Sequence, residues 1–299
     1  MRTKTLNCSM LMAAVAVLSV ATVVRAQVTT YQQEQWLNTP AVTSKVDHLT
    51  GRAKVAGREE NSGLGGYRRY CLVCHGELGD GNGESAPWLD PKPRDFTLAI
   101  FKCRSTPTGT LPTDEDLFNT IARGLDRSNM PPWNTFTNQE RADLVAWIKH
   151  YSPRWQNEKP GTPIEIPKEP EVTADRLKAG QEVFNRVQCW KCHGAEGQGN
   201  GPSASTLVDD LGRPILPYNF AEGGRFKCGS TDSDLYKIFM TGLDGTPMPS
   251  FADNIKPDEA WDLVFFLRSL QPHNEFNTRE KQIAKQLGLK PINPNATAP

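Results

Sequence analysis

Apolar residues recur along the chain with the 3.6-residue period of amphipathic helices, and they do so in two matching series. In the first, Leu117, Phe118, Ile121 and Leu125 share a face behind Thr113-x-x-Asp116, a helix start with acids in its first turn. In the second, Leu235, Tyr236, Phe239 and Leu243 follow Thr231-x-x-Asp234. Each series then closes with a further helix. Glu140–Tyr151 should bury Leu144, Trp147 and Ile148, and Asp258–Leu270 should bury Trp261, Leu263, Phe266 and Leu267. Upstream, Thr173 can cap a helix with Leu177, Gly180, Phe184 and Val187 on one face. Its counterpart, from about Glu59 to Tyr70, is weakened by Gly63, Gly65 and Gly66. A short helix is also expected at Arg279–Leu287.

The helical pattern breaks at two motifs. Cys71-Leu-Val-Cys-His75 returns 118 residues later as Cys189-Trp-Lys-Cys-His193. Two thiols three positions apart with an adjacent histidine form the c-type haem attachment arrangement. Cys71 and Cys74, and again Cys189 and Cys192, would bond one porphyrin as thioethers, with His75 or His193 as proximal iron ligand. A bare C-x-x-C would leave a zinc site or a redox dithiol open; the histidine and the duplication favour two covalent haems. Glycine-rich loops follow, HGELGDGNGESA and HGAEGQGNGPSA, coinciding at seven positions after the histidine. Neither a lysine nor a strand-loop-helix context supports a phosphate cradle. Backbone passing close to a haem edge is the better reading.

A low-spin haem needs a second axial ligand. Met130 in GLDRSNMPPW and Met248 in GLDGTPMPSF each lie 55 residues after their own histidine, and each precedes proline. A methionine is often core filler, and Met240, whose partner in the other series is Ala122, reads that way. With these residues in view, each half resembles a class I cytochrome c domain, with an N-terminal haem motif and a distal Met-Pro loop. The resemblance implies an all-α fold of two tandem cytochrome c domains related by an internal repeat. It also implies final helices that cross the helices leading into the haem motifs. Cytochrome c domain 1 is expected at 55–152 and domain 2 at 173–271. Between them, 153–172 holds five prolines and no helical period, a stiff, extended linker. The shared Phe-Lys-Cys of the halves is offset by 125 rather than 118, so the second half carries about seven extra residues there.

The ends lie outside this scheme. Arg2 and Lys4 precede an uncharged, mostly apolar run from Met10 to Val24, and Ala26 is a small residue at a cleavage point. Residues 1–26 read as a signal peptide; an uncleaved membrane anchor is the rival, though the run is short for a bilayer. A polar extension anchored by Trp36 covers 27–54, and a tail covers 272–299. The mature chain is expected to be periplasmic, with no transmembrane segment. Its 273 residues hold 31 Lys and Arg against 34 Asp and Glu, a formal −3, which excludes a nucleic-acid partner. A hydrophobic content of 37% is low for two cores. Two porphyrins would supply the missing apolar surface, so the apo-protein should fold poorly.

Cys103 and Cys228 remain once the haem thiols are assigned. A disulfide suits an exported protein, and in tandem cytochromes c of this kind the domains often meet along haem-propionate edges, near these segments. Buried free thiols are a second reading. The third is a thiolate axial ligand, as in the dihaem thiosulfate dehydrogenases. His48, His150 and His273 read as surface residues. The expected function is single-electron transfer between redox partners, small cytochromes or respiratory oxidoreductases, through two His/Met haems. The alternative is a dihaem enzyme, either a thiosulfate dehydrogenase with a Cys-ligated haem or a peroxidase. The carrier is preferred, because filled axial positions leave no open iron.

Overall fold

A computed structural model describes residues 62–272 and 277–289. The signal segment, the N-terminal extension with His48, the start of the first helix, His273 and the tail from 290 lie outside the described residues. Among the described residues the fold is helical, and pairing of extended chain is limited to isolated bridges at Leu111–Pro160 and Val208–Pro214. No described helix is long and apolar enough to cross a membrane.

The first half contains α1 (Ser62–Tyr70), a single turn α2 (Leu72–His75), α3 (Asp114–Arg123) and α4 (Asn138–His150). After α5 (Arg154–Asn157), the second half contains α6 (Ala174–Arg186), the turn α7 (Trp190–His193), α8 (Asp232–Thr241), α9 (Pro257–Leu270) and α10 (Thr278–Leu287). Local chemistry fixes the starts. Thr113 and Asp116 form a reciprocal capping box on α3, Thr231 and Asp234 form one on α8, and Thr137 with Glu140 starts α4 two residues earlier than expected. Thr173 caps α6 by accepting from Arg176 N at 3.3 Å.

The most extensive helix contacts are α1 with α4 and α6 with α9, the crossing expected from the resemblance. Glycine permits it. A Cβ on Gly63 would overlap the Asp143 carbonyl, and one on Gly180 would overlap that of Asp262. Gly63, which weakens the helix in propensity terms, is what lets α1 approach α4. The expected inward residues Leu117, Phe118, Ile121, Leu144, Trp147, Ile148, Leu235, Tyr236, Phe239 and Trp261 are all buried. Leu125 and Leu243, past the helix ends, are only partly so.

The linker expectation needs correction. Its first residues form a helical turn, α5, because the fixed φ of Pro153 suits a helix start. The rest is extended but docked. Gly161 N donates to Leu111 O at 3.0 Å, Ile164 N to Ser105 O at 2.8 Å, and Trp261 Nε1 to Pro167 O at 3.2 Å. The extra residues of the second half form a turn closed by Asp209 N on Arg213 O at 2.8 Å and Arg213 N on the Asp209 carboxylate at 2.9 Å.

Of the three readings for the spare cysteines, the structure has the disulfide. Cys103 and Cys228 are bonded, with their Cα atoms 5.1 Å apart. A sulfur held in that bond offers no thiolate to iron.

Candidate haem sites

Each attachment motif is a single helical turn. His75 N donates to Cys71 O and His193 N to Cys189 O, both at 2.9 Å, which brings thiols and imidazole to one side. Burial pushes the Cys71 and Cys189 thiols up to about 12. Surroundings that oppose a thiolate suit a neutral thioether. Gly76 and Gly194 end the turns in the left-handed region, at φ 79° and 78°. The loops that follow fold back on protein: a Cβ on Gly79 would stand 2.6 Å from the Tyr151 ring.

The two imidazoles are prepared alike. His75 Nδ1 lies 3.0 Å from Arg94 O and His193 Nδ1 lies 2.9 Å from Tyr218 O. A carbonyl can only accept, so each Nδ1 carries the proton and each Nε2 keeps a lone pair for a metal. Burial pulls the basicity of both rings below the usual 6.5, which favours the neutral form that ligation needs. Phe96 stacks on His75 at 4.4 Å, and Phe220 lies 5.0 Å from His193. In the first half, Tyr67 is fully buried and donates to Gly76 O at 2.7 Å, steadying the turn behind the histidine.

The methionine loops share one construction. Leu125 N donates to Met130 O at 3.1 Å and Leu243 N to Met248 O at 3.0 Å. Ser128 Oγ bonds Leu125 O and receives Met130 N; Thr246 Oγ1 does the same between Leu243 O and Met248 N. Gly124 and Gly242 allow the tight return, since a Cβ on either would stand 2.6 Å from the chain after the methionine. Met240 packs against the second-half core, as expected.

Cys71, Cys74, His75 and Met130 line one cavity of about 360 Å³ in the first half, walled by Phe96, Leu117, Ile121 and Trp133. In the second half, Cys189, Trp190 and Met248 pack against a core of Phe226, Phe239 and Phe266. The first cavity also receives Lys102 and, from the second half, Lys227. Burial and the neighbouring charges of Arg94 and Lys227 hold the Lys102 ammonium down at about 8. An apolar slot with crowded cations at one edge fits a porphyrin that carries two carboxylates. His150 ends α4, half-buried and stacked on Trp147. Arg94, Tyr218 and the lysine pair escaped the sequence reading. Their signals were Pro93-Arg-Asp-Phe96 against Pro217-Tyr-Asn-Phe220 and the twin Phe-Lys-Cys segments.

Residues 58–148 match the family described as cytochrome C oxidase, cbb3-type, subunit III, and residues 177–271 match cytochrome c. No curated protein matches the chain. A solved chain from the Kuenenia stuttgartiensis reducing HAO-like protein complex Kustc0457/Kustc0458 is 41% identical, with a TM-score of 0.70. The match covers 74% of this chain and 100% of that one. Haem motifs, prepared histidines, family matches and this likeness agree: the chain belongs to the c-type cytochromes, a haem-binding electron-transfer protein of two cytochrome c domains with two covalently bound haems.

Proposed function

We propose that this is a periplasmic dihaem cytochrome that passes single electrons between redox partners through two His/Met-ligated haems. The domains are assigned to 55–152 and 173–271 as an internal repeat, joined by the segment 153–172. One observation carries the reading: His75, with Nε2 free, and Met130, on a loop tied at its base, line the same cavity. The matching bonds around His193 and Met248 support the same ligation in the second half.

When bound, each haem supplies a one-electron couple. The chain's own groups do the rest. Cys71, Cys74, Cys189 and Cys192 would hold the porphyrins, His75 and His193 would offer Nε2, and Met130 and Met248 would offer sulfur as second ligands. Such a pairing raises the potential and leaves no site for substrate on iron. Arg94, Lys102 and Lys227 offer cations to the propionates. The Cys103–Cys228 bond supports an oxidising compartment, in line with cleavage of the leader near Ala26.

Absorbance and EPR spectra of the oxidised holo-protein test the ligation. Two low-spin haems, each with a methionine–iron charge-transfer band, are expected. A high-spin haem or a thiolate signature would overturn the reading and favour a dihaem enzyme. The likeness to a chain of the reducing HAO-like protein complex supports a second form of the partnership, as a bound subunit rather than a diffusing carrier. Size analysis of the native protein separates the two: a single 1:1 complex that survives salt favours the subunit.

A further inference from the structure

Two residues, Arg94 and Tyr218, are attached both to their own half and to the other. Arg94 and Tyr218 accept the Nδ1–H of His75 and His193 at their main-chain carbonyls. Their side chains also reach the opposite half, although the Tyr218 hydroxyl donates to Gly223 O and Gly224 O, at 2.9 and 3.0 Å, within its own. The Arg94 guanidinium packs on Gly245, three residues before Met248; a Cβ built on that glycine would stand 3.0 Å from Nη1. The Tyr218 ring lies under the guanidinium of Arg127, three residues before Met130, at 4.5 Å from the ring centroid. Arg127 is held there by donation to Gly223 O at 3.2 Å.

The two contacts are one pairing made twice. Arg127 and Gly245 take the same place in GLDRSNM and GLDGTPM, and both sit in the left-handed region, at φ 55° and 80°. Arg94 and Tyr218 each follow the proline of a Pro-x-x-Phe segment whose Phe N–H bonds a loop glycine, Phe96 to Gly79 and Phe220 to Gly197, both at 2.7 Å. In each pairing the residue behind one histidine touches the methionine loop of the other half. Only the side that carries the arginine is exchanged.

We propose that Arg94 and Tyr218 are positioning residues that couple the two haem sites, each steering the histidine of its own half and the methionine loop of the other. The inference rests on the His/Met reading above. A change of charge on one iron alters how strongly its imidazole donates from Nδ1 to the carbonyl. The residue that owns that carbonyl also bears on the loop presenting the other sulfur, so the second iron's ligand field responds. Linkage makes the effect reciprocal: each haem's potential depends on the redox state of the other by the same factor.

The test is redox titration of the holo-protein, with the haems assigned through Met130→His and Met248→His, which each change one ligand set. Tyr218→Leu, in the second half, keeps the carbonyl and removes no charge. It is expected to shift the midpoint of the first haem by about a fivefold change in its one-electron equilibrium, about 40 mV at 59 mV per tenfold. Arg127→Gln, in the first half, is expected to shift the second haem. The coupling is overturned if Tyr218→Leu moves only the second haem and Arg127→Gln only the first. Absence of a methionine–iron band in the unsubstituted protein would instead overturn the ligand assignment, and the inference with it.

Discussion

Gly180 on α6 lies so close to Asp262 on α9 that any side chain at 180 would overlap the Asp262 carbonyl oxygen. The contact sits on the crossing that delivers Cys189 and His193 to the haem, so helix packing and site geometry meet at one backbone position. Gly180→Ala should destabilise the holo-protein by about 1–3 kcal/mol, because overpacking must push the helices apart. A lower denaturant midpoint at unchanged slope is the expected reading, and an unchanged midpoint would contradict the crossing.

Opening the Cys103–Cys228 bond, as in Cys103→Ser with Cys228→Ser, should cost about 2–5 kcal/mol of stability. The same double variant should leave both haem spectra as they were, because neither sulfur is available to iron. A changed axial signature would revive the thiolate-ligated enzyme.

Arg104 clamps the Met248 loop from the first half. Its fully buried side chain donates to Thr241 O and, at 2.7 Å, to Asp244, which also receives Thr108 Oγ1 and Gly109 N. Arg104→Ala would leave Asp244 without its cation at a site with little water, a change worth about 3–5 kcal/mol for a buried pair. Thermal unfolding should reveal the loss. Loosening of the loop should weaken the Met248 band before the Met130 band as temperature rises.

Acid should destabilise the protein. His150, which is no haem ligand, has its basicity lowered by burial. Its folded form refuses a proton that the unfolded chain accepts below about 6.5, the ordinary histidine value. The stability this ring contributes is therefore complete above that pH and is lost as pH falls below it. Denaturant midpoints of the holo-protein between pH 7.5 and 5.0 should decline less in His150→Gln than in the unsubstituted protein, and identical profiles would contradict the half-buried, neutral imidazole.

Much of this was legible in the sequence because the chemistry is local. A thioether pair and its histidine must be neighbours in the chain, and capping boxes at Thr113 and Thr231 are four-residue events. The carbonyls of Arg94 and Tyr218 were not legible, since every residue has a carbonyl and only the fold decides which faces an imidazole. Gly63 misled for a related reason: propensity counts its entropy, whereas its use lies in a contact with Asp143, eighty positions away. Prolines announced an extended segment at 153–172, yet Pro153 starts a helical turn, because the same φ serves both conformations.

The segment between the halves is fastened at Leu111, Ser105 and Trp261, and the halves are bonded again at Cys103–Cys228. A chain tied at both ends and in the middle cannot swing. On the proposed route through two haems, the gap between the two sites would therefore be held by the architecture, and a tunnelling rate falls exponentially with distance. Exchange between the two haems should run at one rate whatever the viscosity of the solvent, while delivery to an outside partner slows as the medium thickens.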